Sequence, residues 1–228
     1  MKRKFQHIAY LLMVAAVLTS CGEKKQTSEF PDWAWADFQR PEGINPIVSP
    51  DTTTVFYCPM RQDSVAWESS DTFNPAATIY DGKVVVLYRA EDNSAVGIGS
   101  RTSRLGYAYS DDGLHFNRMT VPVFYPADDN QKELEWPGGC EDPRVAVTDD
   151  GLYVMLYTQW NRKQARLAVA TSRDLQIWEK YGPAFAKAYG GRFFDEFSKS
   201  ASIVTKLVDG KQVIAKIDGK YWMYWGEK

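Results

Sequence analysis

Three copies of one strand-turn-strand pattern limit the folds open to this chain. An Asp-Gly pair leads into an apolar run at Asp81–Tyr88, and the same arrangement returns at Asp150–Tyr157 and Asp218–Trp225. The three copies lie about 70 residues apart, a period typical of repeat architectures. Asp-Gly between apolar runs is a strong signal for a tight β-hairpin. The chain is therefore predicted to consist of repeated antiparallel hairpins.

The strands around these turns repeat as well. A short strand precedes each turn, at Pro75–Tyr80, Pro143–Val147 and Ser200–Val204, and the third copy has a longer insertion before its Asp-Gly. A further strand, Arg104–Ser110, matches Arg166–Ser172. Strand signals dominate and no amphipathic helix stands out, so the prediction is an all-β chain of the β-propeller type. The alternative is a β-sandwich with coincidental hairpins.

The number of repeats falls short of a closed propeller. Propellers contain typically 4–8 blades, whereas this sequence holds about three units and ends at Lys228, directly after the third hairpin. We therefore expect a C-terminally incomplete, partial propeller whose open sheet edges are exposed.

The N-terminus has the layout of an export signal. Met1–Lys4 is basic and Ile8–Leu18 is apolar but short for a membrane span. Leu18–Cys21 resembles a bacterial lipobox, which implies a lipoprotein signal peptide at 1–20 and lipid on Cys21. The polar segment 21–30 is then a tether, and 31–228 is the partial β-propeller domain. The expected location is the bacterial cell envelope, with the lipid in the membrane and the protein on the periplasmic or the surface face. The alternatives are an ordinary signal peptide cut near Ser20 and a short membrane helix.

The composition limits the kinds of partner that the chain is expected to bind. The net charge is −2 and no basic run follows the N-terminus, so there is no argument for nucleic-acid binding. Eight Trp and 13 Tyr supply either core packing or flat platforms for sugar rings. Cys58 and Cys140 have no zinc-ligand spacing, and no carboxylates form a recognisable ion-binding loop. We therefore predict neither a metal nor a cofactor.

The heptapeptide Gly138–Arg144 carries the densest chemistry, with Glu141 and Asp142 between a glycine pair and Pro-Arg. The glycines are expected to allow close approach to a ligand. Pro143 is expected to hold Asp142 at extended backbone angles, on a stiff segment that suits a proton donor. The alternative is a polar loop that caps a strand, with Arg144 paired to Glu141.

The repeat places further polar residues beside Asp142. Asn74 and Lys199 each come just before the first central strand of their unit, as Asp142 does. The loops that enter the innermost strands of a propeller gather at its axis, so these three side chains are expected to meet in one funnel. Arg89 ends its central hairpin, where the other units have residues near Thr158 and Gly226.

Four segments together resemble glycoside hydrolase family 130, the family of β-mannoside phosphorylases and β-1,2-mannosidases. They are Asn74–Ala76, Tyr88-Arg89, Gly139–Arg144 and Asp218–Tyr221. The resemblance runs from about Phe73 to Glu227. It implies a five-bladed propeller, a mannose-containing oligosaccharide as substrate, and an inverting mechanism. It also implies that Asp142 is the general acid and that Asn74 and Arg89 contact the sugar.

The sequence departs from the phosphorylase pattern near its end. Phosphorylases of the family usually carry His-Arg where this chain has Trp225-Gly226, followed by Glu227. A carboxylate repels phosphate, but it can activate water. Inverting hydrolases place acid and base roughly 6.5–9.5 Å apart. We therefore hypothesise that Glu227 is the base. The alternatives are a surface role for Glu227 and a base beyond Lys228.

Two more basic side chains belong to the expected site. Lys199 matches a family lysine and is able to bind phosphate, whereas Arg144 is expected to orient Glu141 or Asp142 in the substrate-binding region. The leading prediction is an exported, lipid-anchored β-mannosidase, most plausibly for β-1,2 linkages. The alternatives are a phosphorylase that uses inorganic phosphate as co-substrate and produces mannose 1-phosphate, and a non-catalytic sugar-binding propeller or inactive fragment.

Overall fold

The computed structural model describes residues 39–227. The predicted signal peptide, Cys21 and the tether lie outside the described residues. Contacts divide the chain into two units, Met1–Pro41 and Glu42–Lys228. The fold below is that of the second unit. None of the helices in the described part of the chain has the length and apolar character that a membrane crossing requires.

The fold is all-β, as the sequence predicts. Two four-stranded antiparallel meanders form its centre, and each begins with the strand that precedes an Asp-Gly turn. The first meander runs through β3 (Asp71–Tyr80), β4 (Lys83–Glu91), β5 (Ser103–Ser110) and β6 (Asn117–Arg118), after the small hairpin β1 (Phe56–Cys58) and β2 (Asp63–Val65). The second runs through β7 (Gly139–Val147), β8 (Tyr153–Trp160), β9 (Ala165–Ser172) and β10 (Glu179–Pro183).

The first predicted hairpin turn has the expected geometry. Tyr80 pairs with Lys83, so Asp81-Gly82 is a two-residue turn. Both turn residues have positive φ, 48° and 71°, as this turn type requires. The predicted outer strands are also confirmed, since β5 and β9 contain Arg104–Ser110 and Arg166–Ser172.

The third unit is more interrupted than the sequence indicates. Its strand pair consists of β11 (Lys199–Ile203) and β16 (Met223–Gly226). Two small hairpins lie between these strands in the chain, and the Asp218-Gly219 turn belongs to the second of them. The inserted strands are β12 (Thr205–Val208), β13 (Lys211–Ile214), β14 (Lys216–Ile217) and β15 (Lys220–Tyr221). The insertion therefore separates β11 from the predicted turn, which closes the β14–β15 hairpin and does not join β11 to β16 directly.

The two meanders meet where β5 and β7 run parallel. Ser103 pairs with Gly139, and the Ser103 amide donates to the Gly138 carbonyl at 2.8 Å. A Cβ on Gly139 would lie 2.2 Å from the Ser103 carbonyl oxygen, and one on Gly138 would lie 2.3 Å from the Trp160 carbonyl oxygen. The expectation that this glycine pair approaches a ligand is therefore wrong: neighbouring backbone and the Trp160 ring fill that space.

The main core lies between the two meanders and consists of inward-facing strand residues. Leu87, Leu105, Met155 and Tyr157 are all essentially buried within it. The central strands β4 and β8 are buried along most of their length, which explains their near-continuous apolar sequences. Helix is confined, among residues 39–227, to the four-residue α1 (Lys132–Glu135) and the 3-10 segment Ala188–Gly191.

Candidate active site

A β-bulge interrupts the first strand of each unit at the same place. In β3, Asn74-Pro75 lies opposite the single residue between Arg89 and Leu87. In β7, Asp142-Pro143 occupies the same position, and in β11 it is Ser200-Ala201. A bulge places two residues opposite one and re-aims the side chain that it carries. The repeat therefore presents one redirected side chain per unit.

The redirected residues share a backbone conformation that the sequence analysis did not predict. Asn74, Asp142 and Ser200 have φ of 45°, 51° and 52°. The expectation of extended angles at Asp142 is wrong, since this φ lies in the left-handed region despite Pro143. Such positions cost about 1–3 kcal/mol and persist only where the surrounding structure enforces them. Here the ladder on either side of each bulge enforces them.

The bulges confirm one predicted equivalence and correct another. Asn74 and Asp142 occupy matching positions, as expected, but the third member is Ser200. Lys199 lies one residue earlier and matches Glu141. The expected match of Arg89 with Thr158 and Gly226 is confirmed, because each pairs with the residue directly before its bulge.

Asp142 lies at the centre of a polar cluster that joins the two meanders. Its Oδ1 accepts a hydrogen bond from Asn74 Nδ2 at 2.9 Å and one from Arg89 Nη1 at 3.1 Å. The sequence prediction that Asn74 and Asp142 converge is therefore confirmed, and Arg89 joins them. The carboxylate keeps 14% of its side-chain surface exposed, so the cluster opens to a ligand.

Arg89 is the buried cation of this cluster. Only 4% of its side chain is exposed, and its Nη2 donates to Glu91 at 2.6 Å and to Glu141 at 2.8 Å. The Phe73 ring covers the guanidinium, with its centroid 4.5 Å from Cζ. Burial disfavours the charge, but the attraction of the neighbouring carboxylates is greater and raises the pKa of Arg89. Arg89 therefore stays charged and fixed in orientation.

The carboxyl group of Glu141 has an unusual pKa. Burial raises the pKa of its carboxyl to about 7, and the negative charges of Asp142 and Glu91 act in the same direction. Arg89 opposes this shift but does not cancel it. Glu141 therefore changes charge near neutral pH, directly beside Asp142 in the chain.

Arg144 does not have the predicted role. Its Nη1 donates to the carbonyl of Pro143 at 2.8 Å, and within residues 39–227 it forms no ion pair with Glu141 or Asp142. Arg89 makes those contacts from the neighbouring meander. Arg144 instead lines a cavity of about 140 Å³, to which the first strands of all three units contribute. Asn74, Asp142 and Lys199, which the sequence analysis expected to meet in one funnel, do not line this cavity.

Lys199 and Glu227 lie together at the third unit. Lys199 pairs with Gly226, so Glu227 follows directly at the end of β16. Both residues are exposed, and the Lys199 ammonium lies 5.7 Å from the centroid of the Phe197 ring. In the described part of the chain, the ion pair with Asp142 is made by Arg89 and not by Lys199.

Two residues of the site, Glu91 and Ser103, escaped the sequence analysis, and Glu141 was named there without a role of its own. A signal existed for Glu91, because residues two apart on a strand share a face and Arg89 is two residues away. Ser103 accepts a hydrogen bond from Arg89 Nε at 3.0 Å, but it comes from a strand whose parallel contact the sequence does not reveal.

Within residues 39–227, no three His, Cys, Asp or Glu side chains gather as a metal site would require. The polar cluster contains hydrogen-bond donors and acceptors of the kind that bind hydroxyl groups: a carboxamide, a guanidinium and carboxyl groups. Together with the repeated antiparallel units, these groups define an all-β repeat protein with a polar cluster suited to binding hydroxyl groups.

The family comparison identifies the family. A model described as β-1,4-mannooligosaccharide phosphorylase, Glyco_hydro_130, matches residues 39–228. The chain belongs to glycoside hydrolase family 130.

Curated relatives come from Thermoanaerobacter sp. (strain X514). The chain is 36% identical to a 1,2-β-oligomannan phosphorylase and 32% identical to a β-1,2-mannobiose phosphorylase. Each match covers 65% of this chain, and 46% and 47% of the respective relatives. The chain therefore spans about half the length of the curated relatives that it matches.

Solved structures are similar over a larger share of this chain. One from Bacteroides thetaiotaomicron, assigned only provisionally as a glycosidase, is 99% identical with a TM-score of 0.84 over 87% of this chain and 57% of its own. Another is 70% identical with a TM-score of 0.84 over 86% of this chain and 55% of its own. Its description states that family 130 contains glycoside hydrolases that target β-1,2 mannosidic linkages in Candida mannan.

Proposed function

We propose that the protein is an inverting β-mannosidase that acts on β-1,2-linked mannosides, on a five-bladed propeller of which this chain supplies about three blades. The cluster of Asp142, Asn74 and Arg89 is the observation that carries the proposal. In it a partly exposed carboxyl group is held by two fixed donors from another unit. A sugar hydroxyl that enters the cluster meets a proton donor whose position is already set.

Asp142 protonates the departing glycosidic oxygen, either directly or through a mannose hydroxyl. Asn74 and Arg89 hold the sugar by their side-chain donors, so a mannose-containing oligosaccharide is the partner. No cofactor is needed for this reaction, because the acid and the base are both carboxyl groups.

Glu227 is the proposed base. It follows Gly226 at the end of the strand pair whose bulge carries Ser200, so it lies near the third redirected position. A carboxylate there activates water for attack from the opposite face of the sugar. It also offsets the charge of Lys199, which is the residue of this unit suited to binding phosphate. This charge balance favours hydrolysis over phosphorolysis.

A β-mannoside phosphorylase is the second candidate, because both curated relatives bear that name. In that case inorganic phosphate is the co-substrate, Lys199 helps to bind it, and mannose 1-phosphate is the product. A sugar-binding propeller without catalysis is the third candidate and is excluded by turnover of any mannoside.

Product analysis separates these candidates. We expect the full-length protein to convert β-1,2-mannobiose into mannose at a rate that added phosphate leaves unchanged, with the α-anomer appearing first in a proton NMR time course. A phosphorylase from a curated relative serves as the positive control for mannose 1-phosphate. If mannose 1-phosphate is the main product, the hydrolase proposal is wrong.

Export and lipid anchoring complete the proposal. We place the protein at the bacterial cell envelope, with residues 1–20 removed and lipid on Cys21. A Cys21→Ala variant is expected to lose its lipid and to move from the membrane fraction to the soluble fraction. Cys58→Ala is the matched control and stays in the membrane fraction. Equal membrane association of wild type and Cys21→Ala would exclude the lipid anchor.

A further inference from the structure

Two carboxyl groups from different meanders converge on one nitrogen atom. Arg89 Nη2 lies 2.6 Å from Glu91 Oε1 and 2.8 Å from Glu141 Oε1. Ser103 Oγ lies within 3.2 Å and 3.4 Å of the same two oxygen atoms. The two oxygens are thus held close together, so they repel each other when both groups are ionised.

The charges around Glu141 do not balance when every carboxyl is ionised. Strand β4 supplies Arg89 and Glu91, β7 supplies Asp142, and Arg101 approaches the other oxygen of Glu91 at 3.4 Å while it pairs more closely with Asp71. Two guanidinium groups therefore face four carboxylates, those of Asp71, Glu91, Glu141 and Asp142. The cluster is neutral only when it holds two protons.

The uncharged side chains around Glu141 do not offset this excess of negative charge. β3 contributes the Asn74 carboxamide and the Phe73 ring, and β5 contributes the Ser103 hydroxyl. From β8, Thr158 lies directly opposite Glu141, and its buried hydroxyl has no hydrogen-bond partner among residues 39–227. Glu141 is the member of the cluster whose pKa burial raises to about 7, which makes it one of the groups that hold these protons.

We propose that Glu141 is a positioning residue of the reaction. Its protonation state determines how Arg89 divides its hydrogen bonds between two partners: the Glu91–Glu141 pair, and Asp142 with the bound sugar. This inference rests on the proposed function. With Glu141 protonated, Arg89 faces one fewer negative charge inside the protein, and its Nη1 is held toward Asp142. With Glu141 ionised, the guanidinium is drawn toward the buried pair and binds the sugar less well.

The test is the pH dependence of kcat and KM of the full-length protein. Because Glu141 is protonated below about pH 7, we expect KM for β-1,2-mannobiose to rise roughly tenfold as the pH increases from 6 to 8. Glu141→Gln keeps the neutral, hydrogen-bonding form at every pH, so this rise disappears from KM. Ser103→Ala removes a hydrogen bond that favours the ionised carboxyl, so the rise moves to higher pH.

Glu133→Gln is the matched control, because Glu133 is an exposed glutamate outside the cluster and should leave the wild-type profile unchanged. If KM of both Glu141→Gln and Ser103→Ala rises over the same pH range as KM of the wild type, the inference is wrong. The parent proposal fails separately, because full activity of Asp142→Asn contradicts the acid assignment. If Asp142→Asn is inactive but Glu141→Gln and Ser103→Ala leave the KM profile unchanged, only the role of Glu141 is contradicted.

Discussion

The Asp142→Asn variant is expected to lose about 10²–10⁴-fold in kcat for unactivated β-mannosides while sugar binding remains measurable. Asparagine has nearly the same shape, and its side-chain oxygen still accepts from Asn74 and Arg89 at the positions they now occupy. It carries no proton to transfer to the departing oxygen. The loss therefore falls on kcat rather than on KM.

The leaving group provides an independent check on this role. A β-mannoside with a dinitrophenyl leaving group needs little help from an acid, so Asp142→Asn should retain far more of its activity on that substrate than on mannobiose. Asp128→Asn is the control, since Asp128 is an exposed carboxylate in a surface pair with Lys132. An equal loss on both substrates would show that Asp142 does not act as the acid.

The Arg89→Met variant is expected to show the largest loss of stability, about 3–5 kcal/mol, because breaking a buried ion pair leaves charges without compensation. Here the remaining charges are those of Glu91, Glu141 and Asp142. For a domain of this size the change corresponds to a fall of roughly 10 °C in Tm. Thermal unfolding followed by circular dichroism measures it.

The pH dependence of that loss has a defined sign. Protonation removes the repulsion between the carboxyl groups that Arg89 no longer neutralises, so the difference in Tm from wild type should be larger at pH 8 than at pH 5. Arg173→Met is the matched control: Arg173 is 61% exposed in a surface pair with Asp150, and its loss should change stability by less than about 0.5 kcal/mol. A pH-independent difference for Arg89→Met would contradict the charge explanation.

The sequence was sufficient for the elements that depend on local signals. The dipeptide Asp81-Gly82 between two apolar runs predicts a two-residue turn, and the structure contains that turn. Matching of the repeats was sufficient to bring Asn74 and Asp142 to one place, although the third residue that it assigned to that place was Lys199 and not Arg89. These predictions succeeded because they depend on strand order and turn type, which the sequence encodes over short distances.

The features that the sequence did not reveal depend on long-range contacts. The left-handed φ of Asp142 is enforced by the bulge, although Pro143 alone favours extended angles. Gly139 serves the contact with Ser103, and that partner lies in another meander. Whether Arg89 or Arg144 pairs with the acid likewise depends on side-chain direction at the bulge. The sequence analysis placed Lys199 one residue too far along the repeat for the same reason. The third unit can be aligned with the other two only through the pairing of β11 with β16.

The hydrogen bonds that cross from β3 and β4 to Asp142 have a mechanical consequence. A sugar that contacts Asn74, Arg89 and Asp142 at once links the two meanders. By linkage, any free energy gained from that cross-connection opposes separation of the sheets. Under the proposed function, occupancy of the site and the stability of the contact between the two meanders are therefore thermodynamically coupled.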